Sequence, residues 1–350
     1  MIPSSLFPHT PRRTFRALAA ALALCLCAAG VPRAQQQQPQ DDDPVERVNT
    51  SLVLLNVGVA DRKGRAVTDL ARGDFAVYED GVKQTIVNFE PSASPFSLVL
   101  LLDMSGSTRN FRTTLKQSAL RFLDALGPDD RVCVVSFNKQ IKTLSGFTND
   151  RRKTAFAITE LAEGSGDTNL YAALRHALKQ LASEGKRRKA IVVLSDGLDT
   201  EQSAQDRKTT AAAATPEEAV ATVKPDEAAP LRAVLDAADR QGVTVYPLAL
   251  PSGDPKKLLP LTPQQAAVYA AARVRMNTLA NRTGGRLHEI NRLEDMGRLY
   301  AEVAADMRAL YSIAYQSSNP RPRDGSWRAI NVEVTRADTI ARSRPGYYAR

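Results

Sequence analysis

Residues 48–92 read as strands. Leu52-Val53-Leu54-Leu55-Asn56-Val57-Gly58-Val59 is an apolar-rich run closed by the turn Asp61-Arg62-Lys63-Gly64. Phe75 to Glu79 alternates in period two, Asp80-Gly81 marks a tight hairpin, and Gln84 to Phe89 returns. No helical period intervenes, so a β element of three or four strands is expected. From Phe96 the pattern changes. Ser97 to Asp103 is almost continuously apolar, as a parallel strand buried on both faces must be. A stripe of Phe111, Leu115, Ala119, Phe122 and Leu126 predicts a helix that Gly127-Pro128 stops. Buried strands follow at Val132–Phe137, Ala190–Leu194 and Val243–Leu248, with an edge strand near Ile141–Phe147 and a short one near Arg286–Ile290. Helices are expected over 151–162, 169–183, 231–241, 265–282 and 294–310.

Strands separated by helical crossovers predict an α/β fold over 96–312, a doubly wound, mainly parallel sheet of Rossmann-like form. Two stretches interrupt it, an Ala-, Thr-, Glu- and Pro-rich one at 201–229 and a Pro- and Gly-rich one at 251–264, and both read as surface insertions. Residues 313–350 return to period two, notably in Trp327 to Val334, with Trp327 expected in the core. Strand-rich ends on both sides of one α/β block suggest that 313–350 pairs with 48–92 into a small β domain.

The first 34 residues read as an export signal. Arg12, Arg13 and Arg16 precede an apolar run from Ala17 to Ala29 that suits a signal core and is too short to span a bilayer. Arg12-Arg13-Thr14-Phe15 partly resembles a twin-arginine signal, but Arg16 stands where an apolar residue is expected, which favours general secretion. An uncleaved N-terminal anchor is the alternative. Residues 35–47, rich in Gln and Asp, can bury little and read as a linker. The globular part is therefore expected in the periplasm, at the cell surface or in the medium, with no membrane span in the mature chain.

Removing the leader changes the chemistry on offer. The net charge of +9 falls to 43 basic against 38 acidic residues, a mild and scattered excess that argues against nucleic acid. Cys25, Cys27 and His9 leave with it. One cysteine, Cys133, excludes a disulfide framework and a Cys-based metal cluster. Two distant histidines, His176 and His288, argue against a Ser/His/Asp hydrolase or a His-rich zinc enzyme. The run Lys186-Arg187-Arg188-Lys189 reads as a solvated approach to a strand.

One constellation remains. Asp103-Met104-Ser105-Gly106-Ser107 ends the first buried strand, and ligands of open α/β sheets bind beyond such ends, where the strand order reverses. It offers one carboxylate and two hydroxyls at alternate positions. Gly164-Ser165-Gly166-Asp167-Thr168-Asn169 should bring Thr168 to the same edge, and Ser195-Asp196-Gly197-Leu198-Asp199 should bring Asp196. All are hard oxygen donors, suited to Mg²⁺, Mn²⁺ or Ca²⁺. Ser, Thr and Asp also cap helices, but a cap explains one of these residues and not a set converging from three loops.

These residues closely resemble the metal-ion-dependent adhesion site (MIDAS) of the von Willebrand factor type A (VWA) domain, over roughly residues 96–312. The flanks, Val77-Tyr78-Glu79-Asp80-Gly81 with Gln84 and Ile86 and Arg344-Pro345-Gly346-Tyr347-Tyr348, are similar to a secreted bacterial VWFA-related group. The resemblance implies that Ser105 and Ser107 bind a divalent cation directly, Mg²⁺ first, with Mn²⁺ or Ca²⁺ as alternatives. It implies that Thr168 binds directly when a ligand is engaged, that Asp103 and Asp196 act mostly through bound water, and that one position stays open for a protein partner's acidic residue. Asp199 and Asp167 are candidates for the rim or for an outer ring of support. The implied function is cell adhesion or another non-enzymatic protein-protein interaction. Two alternatives remain: a metal-dependent phosphatase or phosphotransferase using Asp103 as nucleophile, and a structural envelope protein with a vestigial metal site.

Overall fold

The computed structural model describes residues 52–185, 187–251, 261–321 and 323–350. The leader, the linker and most of the 251–264 segment lie outside the described residues.

Alternation builds the first strand. In β1 (Leu52–Asp61) Val53, Leu55, Val57 and Val59 are buried and the intervening positions are not, the pattern of a sheet with one covered face. β2 (Phe75–Glu79) and β3 (Val82–Glu90) form a hairpin closed by Asp80-Gly81, both at positive φ, which matches the right-handed twist of the flanking strands. All eight residues of β4 (Phe96–Asp103) are buried. There follow α1 (Arg112–Asp124), β5 (Arg131–Phe137), β6 (Ile141–Thr148), α2 (Arg151–Phe156), α3 (Leu170–Ala182), β7 (Arg188–Ser195), α4 (Thr200–Thr209), α5 (Pro216–Thr222), α6 (Ala229–Gln241), β8 (Val243–Ala249), α7 (Pro263–Arg282), β9 (His288–Glu289) and α8 (Met296–Arg308). The chain closes with β10 (Leu310–Gln316), β11 (Trp327–Val334), β12 (Thr339–Arg342) and β13 (Gly346–Tyr348).

The middle of the chain is α/β. Its sheet has the order β6-β5-β4-β7-β8-β9, parallel except at the β6 edge. Leu98, Leu100 and Leu102 of β4 pack with Phe122 of α1 and Val303 and Met307 of α8. Val99 and Leu101 point the other way, into Leu174 and Leu178 of α3 and Val234 of α6. Two covered faces explain why the strand carries no alternation. Cys133 lies in the second of these cores, and burial pushes its thiol up to about 12, so it acts as a small apolar residue rather than a nucleophile.

The ends of the chain share a second, antiparallel sheet of order β12-β1-β10-β3-β2-β11-β13. The two flanking sequence motifs meet there. The buried Glu79 carboxylate accepts from the hydroxyls of Tyr315 (2.6 Å), Ser317 (2.6 Å) and Tyr347 (3.1 Å). Burial and this neighbouring carboxylate push the Tyr347 phenol up to about 12. Arg344, three residues earlier, donates to Asp239 of α6 at 2.7 Å and so ties the sheet to the α/β block. Glu79→Ala would strand the buried hydroxyls of Tyr315 and Ser317 and the half-buried one of Tyr347, and a loss of about 2–4 kcal/mol in urea unfolding is expected.

Three expectations are corrected. Trp327 is 37% exposed, because Arg328, Ile330 and Val332 take the inward phase of β11, and it packs against Arg282 (4.4 Å) and Tyr348 (5.1 Å) instead. The 187–188 part of the basic run is engaged by carbonyls: the half-buried Arg187 donates to Phe96 O (3.1 Å) and Asp129 O (2.6 Å), and the buried Arg188 to the carbonyls of Ser94 and Leu310. These guanidiniums satisfy carbonyls at the starts of neighbouring strands. The helix expected over 151–162 ends as α2 at Phe156 and widens into a π-type turn over Ala157–Leu161.

The 201–229 segment, read as a surface insertion, folds into α4 and α5. Ala219 and Val223 pack on Ala267 and Ala271 of α7. Asp206 of α4 accepts from both terminal guanidinium nitrogens of Arg275 at 2.7 Å, with both side chains buried.

Candidate cation site beyond strand β4

From β4 the chain first builds outward through β5 and then crosses back to β7 on the other side, so the strand order reverses at β4. Peptides diverge there and leave a crevice beyond the carboxyl ends. Asp103, the last residue of β4, is fully buried at that point. Its Oδ1 accepts from Ser105 N (2.9 Å) and its Oδ2 from Ser195 Oγ (2.6 Å). Ser105 Oγ and Ser107 Oγ are 3.1 Å apart, and Thr108 Oγ1 fastens the turn by donating to Asp103 O (2.8 Å) and Ser105 O (3.0 Å). Ser105 is buried and Ser107 exposed, so the pair runs from the interior to the surface.

The second loop is pinned to the first by Gly106 N donating to Gly166 O at 3.0 Å. Gly164 permits this approach: a Cβ there would stand 2.6 Å from Asn138 Nδ2 and 3.0 Å from Met104. Two residues past Gly166, the buried Thr168 is held through its backbone, its N donating to Thr200 Oγ1 and its O accepting from Thr200 N, both at 2.9 Å. The third loop leaves β7 at Ser195, whose hydroxyl donates to Asp103 and accepts from Gly197 N (3.1 Å). Gly197 has φ +84°, and Met276 Sδ of α7 lies 2.3 Å from where its Cβ would be, so α7 rests directly on this loop. Asp196 is buried, and its Oδ1 accepts from Leu198 N at 3.1 Å.

The sequence-derived residues are thus placed as follows. Asp103, Ser105 and Ser107 share one hydrogen-bonded turn. Thr168 reaches that turn through Gly166, and Asp196 through Ser195 and through its charge. Burial, and then the Asp196 charge, push the Asp103 carboxyl up to about 7. Asp167 is exposed on the loop before α3. Asp199 is engaged elsewhere: its Oδ1 caps α4 at Gln202 N (3.1 Å) and its Oδ2 accepts from Tyr171 N in the first turn of α3 (3.3 Å). These two bonds hold the starts of α3 and α4 together. Ser195 and Thr200 were not assigned a part from the sequence. Each joins segments 92 or 32 residues apart, a relation no local pattern announces.

Two buried carboxylates and three hydroxyls are hard oxygen donors, and crowding of the carboxylates is relieved by positive charge rather than by more hydrogen bonds. The residues present therefore fit a divalent cation. Among the described residues no cluster of three or more His, Cys, Asp or Glu side chains could hold a metal ion.

A doubly wound α/β domain with an oxygen-lined crevice at its strand-order reversal is a class of binding fold shared by many proteins. Residues 98–198 match the von Willebrand factor type A domain family, and the chain carries a VWA domain. The voltage-dependent calcium channel subunit alpha-2/delta-2 of Homo sapiens is 34% identical over 119 residues, covering 30% of this chain. The chain spans about a tenth of the length of that relative, 10%. Among solved structures, a von Willebrand factor type A protein from Catenulispora acidiphila has 12% identity and a TM-score of 0.45, covering 87% of this chain and 74% of that one. An aerotolerance-related membrane protein from Bacteroides fragilis has 14% identity and a TM-score of 0.43, covering 61% of this chain and 98% of that one.

Proposed function

We propose that this chain is an exported, non-enzymatic protein-binding module whose Asp103, Ser105, Ser107, Thr168 and Asp196 hold one divalent cation, Mg²⁺ first, with Mn²⁺ or Ca²⁺ as alternatives. The observation that carries the reading is a pair of buried carboxylates at the strand-order reversal, with the Asp103 carboxyl pushed up to about 7 beside hydroxyls whose oxygens can serve as cation ligands. When bound, the cation supplies a charge and a coordination position that a partner's Glu or Asp can fill. The chain's own groups prepare the pocket: Ser195 and Ser105 N orient Asp103, and Thr108 holds the turn.

Phosphotransfer through Asp103 is disfavoured because both carboxylate oxygens already accept hydrogen bonds inside a fully buried residue. Export rests on the leader sequence. Among the described residues no helix is long and apolar enough to cross a membrane.

The site carries a pH signature. An acid whose folded pKa is raised from 3.8 to about 7 destabilises the cation-free fold at high pH, and that cost is relieved as pH falls through 7 toward 4. A cation competes with the same proton. The rise in Tm produced by Mg²⁺ is therefore expected to be larger at about pH 8 than at about pH 5.5. Equal shifts at both pH values would count against Asp103 as part of the site.

Capture from an envelope fraction tests the function. Wild-type bait is expected to lose its partner on chelation, and Asp103→Asn bait to lose it without chelation. A partner retained equally under all three conditions would point to the vestigial-site alternative.

A further inference from the structure

We propose that Thr200 is a positioning residue for Thr168, and that through it helix α4 and its neighbour α7 set the geometry of the cation site. This rests on the reading of Thr168 as a cation ligand. Thr200 takes hold of both backbone polar groups of Thr168, N–H through its hydroxyl and C=O through its own N–H, each at 2.9 Å. Two bonds across one residue fix a peptide's rotation as well as its distance, so they fix where the Thr168 side chain starts. The clamp uses none of the Thr168 side chain.

Asp199, the residue before Thr200, reinforces the contact. Asn169, at the N-cap of α3, spends its side-chain amide on Lys139 O (2.9 Å) and gives α3 no side-chain cap. The buried Asp199 carboxylate takes over from outside the helix by accepting Tyr171 N, while its other oxygen caps α4. The start of α4 is therefore bound to the start of α3 at three backbone points, two on Thr168 and one on Tyr171.

The far end of α4 is anchored as firmly. Asp206 receives Arg275 of α7 through two 2.7 Å bonds and Gln202 Nε2 at 3.0 Å, and Arg275 Nε reaches Pro225 O at 3.3 Å. One residue further along α7, Met276 sits against Gly197, next to Asp196. One rigid arm, α4 with α7, thus touches two of the three loops of the site. A load placed on the 200–227 segment is felt at Thr168 and at Asp196 together, which makes that segment the control element of the site. Outer-ring hydrogen bonds of this kind tune metal affinity without touching the metal.

The test uses the full chain titrated with Mn²⁺ in excess acetate, the acetate standing in for a partner's acid group. Thr200→Val keeps the shape of the side chain and removes its acceptor, and Thr200→Ser restores the acceptor. Thr283→Ala is the control, because Thr283 Oγ1 also receives a buried backbone amide, Val245 N at 3.0 Å, toward the start of β8 rather than beyond the strand ends. Thr200→Val is expected to weaken Mn²⁺ about tenfold, with Thr200→Ser within about twofold of wild type. Thr283→Ala is expected to lower Tm and leave Mn²⁺ affinity unchanged. Wild-type affinity in Thr200→Val, or an equal loss in Thr283→Ala, would overturn the clamp. Loss of Mn²⁺ in Thr168→Ala alongside intact Thr200→Val would remove the clamp and leave the cation site standing, whereas a wild-type chain that binds no Mn²⁺ would overturn both.

Discussion

Asp103→Asn is expected to abolish cation binding, by roughly a hundredfold or more in affinity, while the cation-free protein stays folded. At about pH 8 its stability should equal that of wild type or exceed it by on the order of 1 kcal/mol. The two halves of this result have one cause. Asp103 is fully buried beside Asp196, and neither of its hydrogen-bond donors, Ser105 N and Ser195 Oγ, carries a charge. Its ionised form is therefore under-compensated and the carboxyl is pushed up to about 7. An amide has the same shape and no charge to desolvate. A residue kept for stability would behave in the opposite way, since removing it would lower Tm. Thermal unfolding with and without Mg²⁺ decides: wild type should gain Tm on adding the metal, and Asp103→Asn should gain none.

Arg275→Ala should be among the most damaging substitutions in the chain, costing about 3–5 kcal/mol. It leaves the Asp206 carboxylate uncompensated in a buried position and removes the donor to Pro225 O. The double variant Arg275→Met with Asp206→Leu should recover most of that loss, because replacing both members removes the stranded charge. Urea unfolding of the two variants measures the difference. If Arg275→Ala unfolds as wild type does, α4 is not held to α7 by this pair.

The readability of the fold follows from where burial is symmetric. Ser97 to Asp103 could be recognised as a central parallel strand because both of its faces are covered, so its sequence is apolar throughout. The alternation of Phe75 to Glu79 is equally plain, because one face of β2 is covered and the other less so. α4 was invisible as a packed helix for the converse reason. Of its ten residues, the buried ones are Ser203 and Asp206, and an ion pair replaces the apolar stripe that periodicity detects. Trp327 was placed on the wrong face because Arg328, a charged residue, takes the inward phase of β11, where it meets Asp324 at 2.9 Å.

The site was readable to the extent that its residues announce their own chemistry. Asp103, Ser105 and Ser107 sit within one turn, and their spacing in the chain is their spacing in space. Thr168 and Asp196 could be added because the loops at the carboxyl edge of a doubly wound sheet line one crevice. Thr200 and Ser195 could not, since a threonine or serine hydroxyl looks the same whether it faces water or holds a loop 32 or 92 residues away. The partner of Asp199 is equally silent in the sequence: an acidic residue three positions past Asp196 suggests the rim or an outer ring of support, and only the tertiary structure reveals the α3 amide it satisfies.

The central claim is that side chains from three loops share one cation. Anomalous diffraction from crystals of the protein soaked in Mn²⁺ addresses it most directly. The account predicts a single strong peak in contact with Ser105 Oγ and Ser107 Oγ, on the side facing Thr168 and Asp196. A map with no peak there, or with Mn²⁺ only at surface carboxylates, would contradict it.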